Sequence, residues 1–135
     1  MQPHFLLALV SLAAVFTYML LGLNVGRVRM AVKIMAPQMT GDPRLERAIR
    51  VHYNTLEWLP TFLVSMWLFG LYWNEQVAAG LGAVWIIGRI LYATGYMADP
   101  AKRGAGFGIQ FLVTLVLLLG GLGRLIWMVA TKGAL

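Results

Sequence analysis

Four apolar segments separated by polar breaks organise this chain. Phe5 to Leu23 is almost purely apolar, and the basic tract Arg27, Arg29 and Lys33 extends the predicted first helix into the headgroup layer. Pro37 and the run Gly41-Asp42-Pro43 predict a loop, with Asp42 as a helix cap and Pro43 in the first turn of the second helix. That helix begins polar, from Glu46 to Pro60, and ends apolar, from Thr61 to Trp73. Its roughly 45 Å exceed the ~30 Å hydrocarbon layer, so its charged first turns stand partly outside. A short Asn74-Glu75 turn leads to a third helix, stopped by Asp99-Pro100. Lys102 and Arg103 precede a fourth. The expected helices span about 4–35, 43–73, 77–98 and 106–131, an all-α integral membrane bundle of four transmembrane helices in a single domain over residues 1–135.

Composition agrees with this pattern and charge orients it. Sixty per cent of the 135 residues are hydrophobic, more than a soluble domain of this size carries. The net charge is +6, and six of the eleven basic residues lie between Arg27 and Arg50. Such a cluster between two spans reads as a topology signal, and no nucleic-acid partner is expected. The first and third loops are basic and the second is not, which puts both basic loops in the cytoplasm and both termini on the other side. Arg124, near the far end of the fourth helix, is expected to snorkel to that interface. The first segment lacks a basic leader and is too long for a signal peptide, so it is read as a membrane helix. The compact loops favour a bacterial inner membrane, with an endoplasmic membrane as the alternative. The glycines Gly104/Gly108 and Gly120/Gly121/Gly123 read as close-packing positions between helices. There is no cysteine, hence no disulfide and no thiolate chemistry in the protein itself.

Two polar rows enter the apolar helices. Arg47, Arg50, Asn54 and Glu57 fall on one face of the second helix, and Arg89, Tyr92 and Tyr96 on one face of the third. Glu57 lies about 18 Å along its helix from Leu45, and Arg89 about 12 Å from Met97, so the rows sit at similar depth. They are expected to meet as one buried patch open to the cytoplasm, with Glu57 accepting from Arg89 or from a ligand ammonium. Several guanidiniums call for carboxylates, and the bilayer alongside supplies an apolar partner. The patch therefore suits a small zwitterion with more than one carboxylate. Arg103 at the mouth would stabilise an anion formed during a reaction. Two plainer readings stand beside this one: a buried Arg–Glu pair that only ties helices together, and Tyr92 and Tyr96 as interfacial aromatics. His52 points away from the row and is expected at a subunit contact. A lone histidine makes no metal site, and no metal is expected.

These residues resemble a known family. Glu46-Arg47-x-x-Arg50-x-His52-x-Asn54-x-x-Glu57, followed by Pro60-x-Phe62-Leu63, is similar to the signature of the membrane-associated proteins in eicosanoid and glutathione metabolism, the MAPEG family. Gly88-Arg89-x-x-Tyr92-x-x-Gly95-Tyr96 resembles that family's second motif. The likeness covers nearly the whole chain and is nearest to the microsomal glutathione transferase and leukotriene C synthase branches. It implies a homotrimer of four-helix bundles with glutathione between neighbouring subunits. Arg50, Asn54, Glu57, Tyr92 and Tyr96 match positions that hold glutathione, and Arg47 and Arg89 match motif arginines. Trp58 replaces a contacting tyrosine. Arg29 and His52 match positions that reach the ligand from the adjacent subunit. Arg103 matches the arginine assigned to the glutathione thiolate, and Gly104 replaces the serine of the prostaglandin isomerase branch. The implied activity is a glutathione transferase, with peroxidase activity on lipid hydroperoxides, acting on hydrophobic electrophiles at the bilayer edge. Two further expectations remain open: a non-catalytic lipid- or glutathione-binding scaffold, and a small proton-coupled exporter using Glu57.

Overall fold

A computed structural model describes residues 3–133 and shows four long helices running up, down, up and down: α1 (Phe5–Val32), α2 (Pro43–Tyr72), α3 (Glu75–Ala98) and α4 (Gly104–Lys132). One 3-10 turn, Pro100–Arg103, joins α3 to α4 with no further loop. The sequence explains the starts of α2 and α3. Asp42 accepts from the backbone N–H of Arg44 at 2.8 Å and Asn74 from that of Val77 at 2.9 Å, which satisfies donors that a helix N-terminus leaves open. The Asn74 cap sets α3 two residues ahead of its expected start. Arg44 also hydrogen-bonds the Asp42 side chain, and this holds the carboxyl below its ordinary range. The cap is therefore present above the ordinary carboxylate range and is lost only as pH falls through that lowered value. At its other end α1 stops at Val32, short of the expected residue 35. Lys33 takes a left-handed conformation (φ 59°), and Ile34 turns back onto Val28, Leu45, Ala48 and Ile49. Burial of Ile34 outweighs continuing the helix.

Three stretches, Phe5–Val32, Glu75–Ala98 and Pro100–Lys132, are long and apolar enough to cross a membrane. α2 is the exception, because its first half carries the charged row. It nevertheless packs along all three neighbours. Leu7 of α1 lies against Gly70, and Val28 against Leu45 and Ile49, so α1 and α2 are antiparallel. The core between them and α3 is apolar and aromatic, with Phe62 and Trp85 stacked at 4.1 Å and 2°. Outward, α1 exposes Leu9, Leu12, Phe16, Leu23 and Met30. A face of this kind belongs against lipid or another protein chain.

The glycine contacts agree with expectation at Gly120 and Gly121, both against Phe69, and differ from it at Gly123 and at the start of α4. Gly104, Gly108 and Gly123 have open space beside them, whereas Gly88, Gly106 and Gly120 are the points of approach. A Cβ at Gly88 would stand 3.0 Å from the backbone nitrogen of Gln110, one at Gly106 would strike the backbone of Tyr92, and one at Gly120 would meet Phe69 at 2.7 Å. α3 and α4 thus touch backbone to backbone next to the polar end of the bundle. Gly106→Ala is expected to force them apart and lower stability by about 1–3 kcal/mol, as overpacking does. Gly108→Ala, facing open space, should leave the unfolding midpoint in detergent unchanged.

Candidate functional site

The polar rows do meet, but not as one patch. Arg89 is fully buried, and its Nη2 donates to Asn54 Oδ1 at 2.9 Å. Its guanidinium carbon lies 4.2 Å from the centre of the Tyr92 ring, itself buried. Arg50 and Glu57 are exposed, and the expected Arg89–Glu57 pairing is replaced by Arg89–Asn54. The reason is rotational. Residues seven apart share an azimuth on a helix, whereas residues three apart differ by about 60°. Arg47 and Asn54 therefore turn toward α3, while Arg50 and Glu57 turn outward. Arg47 Nη1 reaches the Met97 and Ala98 carbonyls, both at 3.4 Å, and so ties the start of α2 to the end of α3. Cations suit the carbonyl end of a helix.

Beside this buried pair lies a surface depression of about 370 Å³, bordered by Glu46, Arg47, Arg50, Tyr53 and Tyr96, with Met39, Thr40 and Ile49. Tyr96 is half-buried, and the exposed Arg103 stands with its guanidinium carbon 6.0 Å from the Tyr96 ring centre. Arg103 is also the residue that precedes the first turn of α4. Its charge and the positive end of that helix act in the same place. Trp58 sits edge-on to Phe107 and Phe111 at 5.8 and 5.9 Å, which closes the gap between α2 and α4. Asn54, Arg89, Tyr92, Tyr96 and Arg103 thus form one graded wall, from a buried amide–guanidinium pair to an open guanidinium. Such a wall offers donors to carboxylates and to a developing anion.

The remaining expected residues lie elsewhere. Arg29 turns back on its own loop, with Nη1 donating to the Gln38 carbonyl at 2.6 Å and to the Ile34 carbonyl at 3.3 Å. His52 faces α1, stacked on Tyr18 at 4.5 Å and 15°, over the space left by Gly22. At the opposite end of the bundle Arg124 donates through Nε to the Tyr72 carbonyl at 3.1 Å and lies over Trp127. Among the described residues no three histidine or carboxylate side chains gather as a metal site. Sequence reasoning missed Gln110, fully buried on α4. The signal was there: a single glutamine shares a helix face with Gly106, Val113 and Leu117 inside a segment whose one other buried polar residue is Thr114.

Fold and site together define a small helical membrane protein whose polar groups converge at one end of the bundle. The description of the MAPEG family matches residues 7–123, and the chain belongs to that family. Among its relatives, an uncharacterized protein of Synechocystis sp. is 45% identical over 120 residues, covering 89% of this chain and 88% of the relative. Human microsomal glutathione S-transferase 2 is 39% identical over 119 residues, 87% of this chain and 81% of the relative. Leukotriene C4 synthase of Cavia porcellus is 36% identical over 121 residues, 89% and 81%.

Proposed function

We propose that this protein is a membrane glutathione transferase, with glutathione peroxidase activity, that works on hydrophobic electrophiles at the bilayer edge. The observation that carries the reading is the wall from Asn54–Arg89 through Tyr92 and Tyr96 to Arg103, in a chain similar to proteins named for glutathione transfer and leukotriene C4 synthesis. Glutathione has two carboxylates, an ammonium and a thiol. Arg50 and Arg47 serve its carboxylates, Glu57 its ammonium, Asn54 and the tyrosines its amides, and Arg103 its sulfur. In transfer the thiol proton goes to solvent, the thiolate forms a C–S bond, and the electrophile releases its leaving group. In the peroxidase reaction two glutathiones reduce one hydroperoxide to an alcohol and water and leave as the disulfide.

The working unit is a homotrimer. His52 and Asn54 lie two residues apart, about 200° around α2, so one faces α1 while the other faces α3. A ligand on the Asn54 wall meets His52 and Arg29 only from a neighbouring copy. The outward Arg50 and Glu57, and the apolar outer face of α1, suit that packing. α2 crosses the membrane with the other helices, the basic loops face the cytoplasm, and the host membrane is a bacterial inner membrane. Calorimetric titration of purified protein with glutathione, and turnover with a dinitroaryl chloride, test the reading. Binding and conjugation are expected. Absence of both overturns it, and binding without turnover across aryl halides, enals and hydroperoxides reassigns the chain as a binding scaffold.

A further inference from the structure

Behind the proposed site the interior holds polar atoms that the site itself leaves unpaired. Arg89 spends one nitrogen on Asn54, while its Nε and Nη1 are buried and find no partner among the described residues. The same holds for Trp85 Nε1, one turn earlier on α3, and for both side-chain polar atoms of Gln110 on α4. All three side chains are fully buried. They occupy one level of the bundle: Trp85 and Arg89 are four residues apart, and the backbone of Gln110 meets α3 at Gly88. The donors are in excess. Arg89 and Trp85 only donate, and no carboxylate is buried among the described residues. α4 brings two side-chain acceptors near this level: Thr114 Oγ1, whose proton is spent on the Gln110 backbone carbonyl at 2.8 Å, and Gln110 Oε1, on the residue opposite Gly88, the chain neighbour of Arg89. Buried polar atoms are hydrogen-bonded, often through enclosed water, and a guanidinium in an apolar bundle needs acceptors most of all.

We infer that Gln110 is a positioning residue: its amide oxygen, through enclosed water, holds the Arg89 guanidinium in the orientation that presents Asn54 to the ligand. The inference rests on the glutathione reading for its functional half and on Arg89 alone for its structural half. The test uses the full chain in detergent with Gln110→Leu and Gln110→Glu. Gln110→Leu should weaken glutathione binding about tenfold, the loss of one hydrogen bond to a charged group, with the KM for the electrophile unchanged. Gln110→Glu should restore binding and unfold at a higher midpoint than Gln110→Leu, because a carboxylate beside an arginine supplies the missing acceptor. Were Gln110 merely filling space in an apolar bundle, leucine would be the more stable of the two, and that order overturns the inference. In an Arg89→Met background the destabilisation by Gln110→Leu should vanish, since no cation remains to be served; equal midpoint shifts in both backgrounds also overturn it. If the wild type binds no glutathione, the functional reading fails, while the stability order still decides whether Gln110 serves Arg89.

Discussion

Arg103→Ala is expected to lower kcat/KM for glutathione conjugation about 100-fold at neutral pH, the scale of removing one charge-stabilising donor. Arg103 is exposed, next to Tyr96, at the start of α4. Its side chain is exposed, so its removal should leave the unfolding midpoint in place. A free thiol titrates at about 8.5, and a guanidinium beside it favours the thiolate. In the wild type the thiolate therefore forms at lower pH, and activity rises early with pH. In the variant the rising limb moves to higher pH, and part of the deficit is recovered in alkaline buffer. A pH series of kcat/KM, with the ultraviolet absorbance of bound thiolate, separates this from a binding defect. A limb that stays in place with Arg103 removed would assign thiolate stabilisation to another group.

Asn54→Leu is expected to be the most damaging single change to stability, at about 3 kcal/mol. Asn54 is the protein acceptor of a fully buried guanidinium. Leucine keeps the volume but leaves the charge without that acceptor in the interior. The cost belongs to the stranded cation, so Arg89→Met combined with Asn54→Leu should recover most of the loss. Unfolding midpoints of the two single variants and the double variant in a detergent titration decide the point. A double variant no more stable than Asn54→Leu would show that Asn54 acts by packing and not by serving Arg89. Glutathione binding should stay weak in both variants that lack Asn54, because the proposed site uses the amide itself.

The contrast between Asn54 and its neighbours shows what could be read in the chain and what could not. The row Arg47, Arg50, Asn54, Glu57 spans about 80° of helix surface, and a linear pattern resolves faces no more finely than that. Which half of the row is buried depends on how α3 presses on α2, and this is set by the flat Phe62–Trp85 stack and by Arg47 reaching the end of α3. Glu57 carries the formal charge and looked like the natural partner of Arg89. Burial gave that place to the neutral Asn54, since enclosing a carboxylate as well would cost further desolvation. The glycines carry the same lesson: the expected Gly104/Gly108 pair was one step out of phase with the contact made by Gly106.

By itself the sequence determined the apolar segments, the cap at Asp42, the kinship carried by the two motifs and the relative depth of the polar rows along their helices. All of these come from local chemistry or from position along a helix axis, which the chain order preserves. Tertiary structure alone decided rotation about those axes: that Arg89 takes Asn54, that Arg50 and Glu57 turn outward, that Arg29 closes its own loop, and that Gln110 lies at the level of a cation without enough acceptors. Rotation is fixed by contacts between helices distant in sequence, and a difference of one residue in phase is enough to move a charge from the surface to the interior.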